Sequence, residues 1–173
     1  MRFGSRKEFP IKNLERKHLE NLAAPCGLYC GACSILAAGR KNDPKLMELI
    51  AMGVADYLGH PVEVKDLACE GCHSDVVAIM CRECDLRSCA LLKGITHCSQ
   101  CADFPCQQIT DFNNDDFRHH SEVLDNIRRQ RDIGIDSWTK EQYERWRCPK
   151  CGLAIDWYAG QCSNCDTTLE GHF

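Results

Sequence analysis

The 173-residue chain has no apolar run near the ~20 residues needed to cross a bilayer. Its first twenty residues, MRFGSRKEFPIKNLERKHLE, carry positive charge but no apolar core of the kind a secretory signal needs. A cytoplasmic protein with no membrane association is therefore expected. Charge of one sign is missing too. Twenty-one Lys and Arg stand against 25 Asp and Glu, a formal net charge of -4, so nothing forces a nucleic-acid or anionic-membrane partner. Also absent is any succession of β-branched runs followed by Gly-rich loops. That argues against the βαβ barrel of radical enzymes and the sheet of a thioredoxin-like oxidoreductase.

What the chain has instead is sulfur. Fifteen residues are Cys, about one in twelve. Disulfides fit this pattern poorly, because the count is odd and the recurrent C-x2-C pairs are too close in sequence to close useful loops. The same spacing lets one turn aim two thiolates at one metal ion. Metal ligation is the expected chemistry.

Between the cysteines, the periodicity predicts helices. Residues 7–22 read as a polar helix with Ile11, Leu14, Leu19 and Leu22 on a thin apolar stripe and His18 packed beside it. The segment SILAAGR reads as a short helix ending at Gly39. The segment DPKLMELIAMGVADYLG gives the clearest pattern, with Asp43 as N-cap, Pro44 at the first helical position and Gly59 as the stop. Its stripe of Leu46, Leu49, Ile50, Gly53, Val54, Tyr57 and Leu58 is expected to supply most of the apolar core, with Gly53 against a close-packed backbone. Residues 115–132 predict a second long helix with Phe117, His120, Leu124 and Ile127 inward, and Arg128, Arg129 and Arg131 on a solvated face. A third helix is expected from Trp138, opened by a Thr139/Gln142 capping box with Trp138 and Tyr143 as its staple. The expected organisation is an N-terminal helix (1–23), a Cys-rich module (24–112), a helical connector (113–145) and a zinc ribbon (146–173). The predicted fold class is α-rich and metal-stapled, with a C-terminal β zinc ribbon.

The ribbon rests on Cys148, Cys151, Cys162 and Cys165, spaced C-x2-C-x10-C-x2-C. Four thiolates satisfy tetrahedral zinc completely, so such a site is structural and contributes about 10–16 kcal/mol of apparent binding energy to folding. Gly152 follows the second cysteine where a knuckle turns with positive φ, and LAIDWYAG alternates as a strand does. Eleven cysteines remain: Cys26, Cys30, Cys33, Cys69, Cys72, Cys81, Cys84, Cys89, Cys98, Cys101 and Cys106. Eleven is two four-thiolate sites plus three, the three being Cys26, Cys30 and Cys33. It is equally three sites short of one ligand, for which His73 and His97 are the candidates. Two or three free buried thiols are a third solution. Cys81-x2-Cys84-x4-Cys89 recurs as Cys98-x2-Cys101-x4-Cys106, which suggests two similar knuckles, each followed by a helical turn.

The segments APCGLYCGAC, CEGC, CRECDLRSCALLKG and CSQCADFPC together resemble the bacterial and archaeal Cys-rich family called domain of unknown function 3795, from Ala24 to about Phe112. The trailing WRCPKCG looks like an extension seen in some of its members. The resemblance implies a metal-binding module and no particular activity.

The function that follows is a zinc-binding protein, with two to four ions, serving as a structural or interaction module for another macromolecule, protein in preference to nucleic acid. No catalytic residue is assigned. The alternative is an iron–sulfur or redox protein using Cys26, Cys30 and Cys33 at C-x3-C-x2-C spacing as a three-cysteine cluster or open metal site. The common ferredoxin spacings are absent. The candidate contact surface is residues 138–151, where Lys140, Arg145, Arg147 and Lys150 outnumber Glu141 and Glu144, with Trp138, Tyr143, Trp146, Trp157 and Tyr158 nearby. Those aromatics could equally pack the ribbon onto its helix.

Overall fold

The computed structural model describes residues 21–41 and 43–169. The helix predicted over 7–22, with His18, lies outside the described residues except for its last two positions, which form a turn in which Leu22 is buried. Among the described residues there are seven α-helices: α1 (Ser34–Lys41), α2 (Pro44–Leu58), α3 (Ile79–Arg82), α4 (Asp85–Leu92), α5 (Gln107–Asn113), α6 (Val123–Ile133) and α7 (Ile135–Arg145). Short 3-10 turns fill in at Cys30–Ala32, Val64–Leu67, Cys98–Gln100 and Arg118–Glu122. No helix among these is long and apolar enough to cross a membrane.

Helix α2 begins and ends where its sequence says. The Asp43 carboxylate accepts from the Leu46 N–H at 3.1 Å, and Gly59 closes the helix at φ +74. Its buried face is another matter. Leu49 and Tyr57 are 65% and 58% exposed, and a Cβ built on Gly53 would meet nothing within 4 Å. The face that packs is Met47, Ile50, Ala51, Val54 and Leu58, which keeps Ile50, Val54 and Leu58 of the expected stripe and takes Met47 and Ala51 in place of Leu49, Gly53 and Tyr57. It closes only a small cluster with Ile35, Leu67 and Ala78.

The main core lies elsewhere. Trp138, Trp146, Ile127, Val123 and Ile109 are almost fully buried, and they join Tyr29, Cys26, Cys30, Cys148 and Cys162 in one cluster. Trp138 meets the Tyr29 ring edge-on at 6.4 Å. Helix α7 starts three residues before the predicted point. Thr139 is therefore inside it, with its hydroxyl donating to the Ile135 carbonyl at 2.8 Å, and no capping box forms at Thr139. The 115–132 helix also splits. The Asp115 carboxylate accepts from the Phe117 N–H and the His120 ring, and this local turn delays α6 until Val123. Phe117 consequently sits at the surface, 37% exposed.

The β zinc ribbon is not found. The described residues contain no strand, only isolated antiparallel bridges at Ala23–Tyr29, Arg147–Ala154 and Gln161–Thr168. Two of these bracket the C-terminal C-x2-C pairs. Each knuckle turns the chain back on itself at once, and a turn from Asp156 to Ala159 interrupts LAIDWYAG before a ladder can grow. The Trp157 N–H donates to Ala32 at 3.0 Å, so this segment is used to tie the C-terminus to the first cysteine turn.

Candidate metal centre

The two C-terminal knuckles share one local geometry. The Cys148 N–H donates to Leu153 and the Gly152 N–H returns to Cys148; likewise the Cys162 N–H donates to Thr167 and the Asp166 N–H returns to Cys162. The fourth residue after each leading cysteine is left-handed, Gly152 at φ +76 and Asp166 at φ +55. Gly152 meets the requirement without a Cβ, and Asp166 does so as one of the few side chains that tolerate this region.

These turns bring the Sγ atoms of Cys148, Cys151, Cys162 and Cys165 within 4.8 Å of one another. The Cys148–Cys165 and Cys151–Cys162 pairs are each 3.6 Å apart, close to the roughly 3.8 Å between sulfurs bound to one tetrahedral ion at about 2.3 Å. The Thr167 hydroxyl and backbone N–H pull the Cys165 thiol down to about 6, and the Leu153 N–H lowers Cys151. Cys162 is instead raised to about 11, its Asn164 backbone bond being outweighed by burial and by hydrogen bonds to Cys148 and Cys151. A metal displaces the proton from each thiol, because its ligand is the thiolate. The residues fit a divalent ion in a closed four-sulfur site.

All eleven other cysteines are free thiols, and they fall into two neighbourhoods with a bridge between them. The first surrounds Cys72. Its Sγ is 3.8 Å from that of Cys30, and it also hydrogen-bonds with Cys81. Cys33 and Cys69 are electrostatically coupled to Cys30 and Cys81. Burial first, and these neighbours second, push Cys33 up to about 12. The chain reaches this neighbourhood through Gly71, whose φ of +109 and the Asn21 carbonyl beside it leave no room for a Cβ. The second neighbourhood is Cys89, Cys98, Cys101 and Cys106, which line a common cavity. Cys26 and Cys84 lie between the two, Cys84 being a neighbour of Cys26, Cys81 and Cys98. Burial raises the Cys26 pKa well above the usual thiol value, and Cys84, Cys30 and Cys98 add to the effect.

The three Sγ atoms of PCGLYCGAC are not all within 4.8 Å of one another. Cys30 neighbours both Cys26 and Cys33, while Cys26 also faces Cys84 and Cys98 and Cys33 also faces Cys81. The sequence repeat does not form two equivalent knuckles either. Cys89 sits inside α4, while its counterpart Cys106 precedes α5, because DLRS is helical and ADFP, with Pro105, is not. His97 is committed to the backbone and to Thr96, at 3.2 Å from the Ala23 carbonyl and 2.9 Å from Oγ1, and its ring lies 4.9 Å from that of His73.

A family model described as "Protein of unknown function (DUF3795)" matches residues 22–111, just over half of the chain. The chain belongs to this family. No curated protein and no solved structure matches it. The DUF3795 match contains the eleven cysteines from Cys26 to Cys106 and ends before the four-cysteine site at 148–165.

The contact surface expected around this second segment is largely internal. Arg145 makes a two-pronged ion pair with Glu122, at 2.9 and 2.5 Å, and Arg147 stacks at 3.8 Å over Tyr143 while donating to the Gly152 carbonyl. Trp138 and Trp146 are core residues, and Trp157 stacks at 3.9 Å on His119. Spacing carried no hint of two cations that serve the second thiol neighbourhood. Lys93 Nζ donates to Cys101 Sγ at 3.4 Å, and Arg131, expected on a solvated face, donates to the carbonyls of Ser99 and Cys101.

Proposed function

We propose that this protein is a zinc-stapled module of the cytoplasm whose role is contact with another protein. The observation that carries the zinc reading is the close set of Cys148, Cys151, Cys162 and Cys165, whose 3.6 Å sulfur pairs match one tetrahedral ion. A second zinc belongs with Cys72 and Cys30, whose sulfurs, 3.8 Å apart, already have the edge length of one tetrahedral ion, two of Cys81, Cys33 and Cys69 closing in to complete four donors. Saturated sulfur sites leave no position for substrate, so the metals act by holding surfaces in place. A net charge of -4 favours a protein over a nucleic acid as the partner.

Metal analysis of the full chain, purified without oxygen, tests the zinc reading. Cys162→Ser and Cys72→Ser should each remove one zinc ion per chain, and cobalt exchanged into the C-terminal site should show sulfur-to-metal charge transfer. A wild-type protein without zinc would overturn it. The contact role is tested on cross-linked partners with Lys140→Glu and Lys150→Glu, both exposed positions. Unchanged cross-linking removes this face from consideration.

A further inference from the structure

The cavity between α4 and α5 is lined by Cys89, Cys98, Cys101 and Cys106, one thiol from a helix and three from the turns that follow it. Its remaining wall is mainly apolar, with Leu86, Phe104 and Ile109 among the lining residues, and the cavity volume is about 20 Å³. The four sulfurs differ from the C-terminal set in one decisive respect. Among the described residues, only the C-terminal cysteines form a group of three or more ligand atoms all within 4.8 Å of one another. Here the thiols stand apart around a space, although they sense each other. Cys98 is pushed up to about 11 by burial and then by Cys106, Cys101 and Cys89.

We propose that Cys89, Cys98, Cys101 and Cys106 hold an iron–sulfur cluster, a polynuclear group that the four thiolates surround, instead of a single zinc ion. In such a cluster the thiolates bind different irons, so they surround a volume without meeting at one point. Binding releases the four thiol protons and leaves an anionic group within an apolar wall. The Lys93 ammonium, 3.4 Å from Cys101 Sγ and 2.6 Å from Asp103, supplies an adjacent positive charge. Arg131 fixes the 98–101 turn by donating to the carbonyls of Ser99 and Cys101 at 2.9 and 2.6 Å, and its guanidinium lies 4.6 Å from the Phe104 ring centre. Sulfur ligands, a dry wall, a compensating cation and a braced turn are the features that tune such clusters. This goes beyond the zinc reading of the C-terminal site, which zinc content tests separately.

The experiment uses the full chain, expressed with iron and purified without oxygen. Iron, acid-labile sulfide and zinc are measured in wild type and in Cys98→Ala/Cys101→Ala. The expected result is a broad visible absorption in wild type and the joint loss of equal iron and sulfide in the double variant, with the zinc bound at Cys162 retained. X-ray absorption at the iron edge of wild type provides a second reading that does not depend on folding of the variant, expected to show an all-sulfur first shell and an iron–iron shell. A colourless wild-type protein, iron and sulfide unchanged in the double variant, or loss of zinc in their place would overturn the proposal.

Discussion

Gly71 shows how tightly single residues are bound to the thiol neighbourhoods. It lies between Cys69 and Cys72, at φ +109, with the Asn21 carbonyl 2.3 Å from where a Cβ would stand. Neither the backbone angle nor the backbone neighbour can yield cheaply. Gly71→Ala should cost at least about 2 kcal/mol in denaturant unfolding of the metal-loaded protein and weaken metal retention around Cys72. A loss below about 0.5 kcal/mol would mean that the turn relaxes freely. At the same scale, His97 illustrates the limit of reasoning from adjacency. Its place beside Cys98 made it a candidate ligand, yet both ring nitrogens are spoken for by Ala23 and Thr96.

At the scale of elements, the turn before α6 is joined to the C-terminal segment by two buried histidines. His119 stacks on Trp157 and shares a 2.6 Å hydrogen bond with the Tyr158 hydroxyl, while His120 stacks on Phe112 and bonds the Asp115 carboxylate at 2.7 Å. Burial holds both pKa values down, His119 to about 3 with His120 as a second cause. The unfolded chain therefore binds protons that the folded one refuses. Stability is fully present above the ordinary histidine pKa of about 6.5 and is lost as pH falls towards about 3. His119→Phe should cost stability at neutral pH, and its deficit relative to wild type should shrink from about pH 6.5 to about pH 4, by on the order of 1 kcal/mol per unit. Acid-driven metal loss is common to both proteins, so paired chemical denaturation at each pH isolates the histidine. A deficit that stays constant with pH would show that His119 titrates as it does in the unfolded chain.

For the whole molecule, the C-terminal site and the Cys-rich module share one core. Trp146 and Cys148 are 2% and 0% exposed within the cluster that holds Cys26, Cys30 and Trp138, and Trp157 is tied to Ala32. Removing the C-terminal metal should therefore loosen far more than the last thirty residues. A strong chelator should shift tryptophan emission to the red and lower the melting temperature of the entire α6–α7 region in calorimetry. A melting profile unchanged apart from a small separate transition would show that the knuckles fold independently. Local chemistry was legible where it was complete within a few residues. Asp43, Pro44 and Gly59 bound α2, the C-x2-C-x10-C-x2-C spacing identified the four-thiolate site, and Gly152 marked its turn. Helix periodicity placed Ile50, Val54 and Leu58 on the packed face of α2 but also Leu49 and Tyr57, which are exposed, and alternation in LAIDWYAG suggested a strand that a turn and a contact with Ala32 replace. The sequence by itself determined that sulfur dominates this chain, because fifteen cysteines stand at close C-x2-C spacing that suits disulfides poorly. Only the tertiary structure decided which thiols are neighbours. Cys89 lines one cavity with Cys98, Cys101 and Cys106 across repeat boundaries, and Cys26 faces Cys84 and Cys98 as well as Cys30. Ligand grouping depends on distances set by the packing of α4, α5 and α6, and sequence spacing carries none of them.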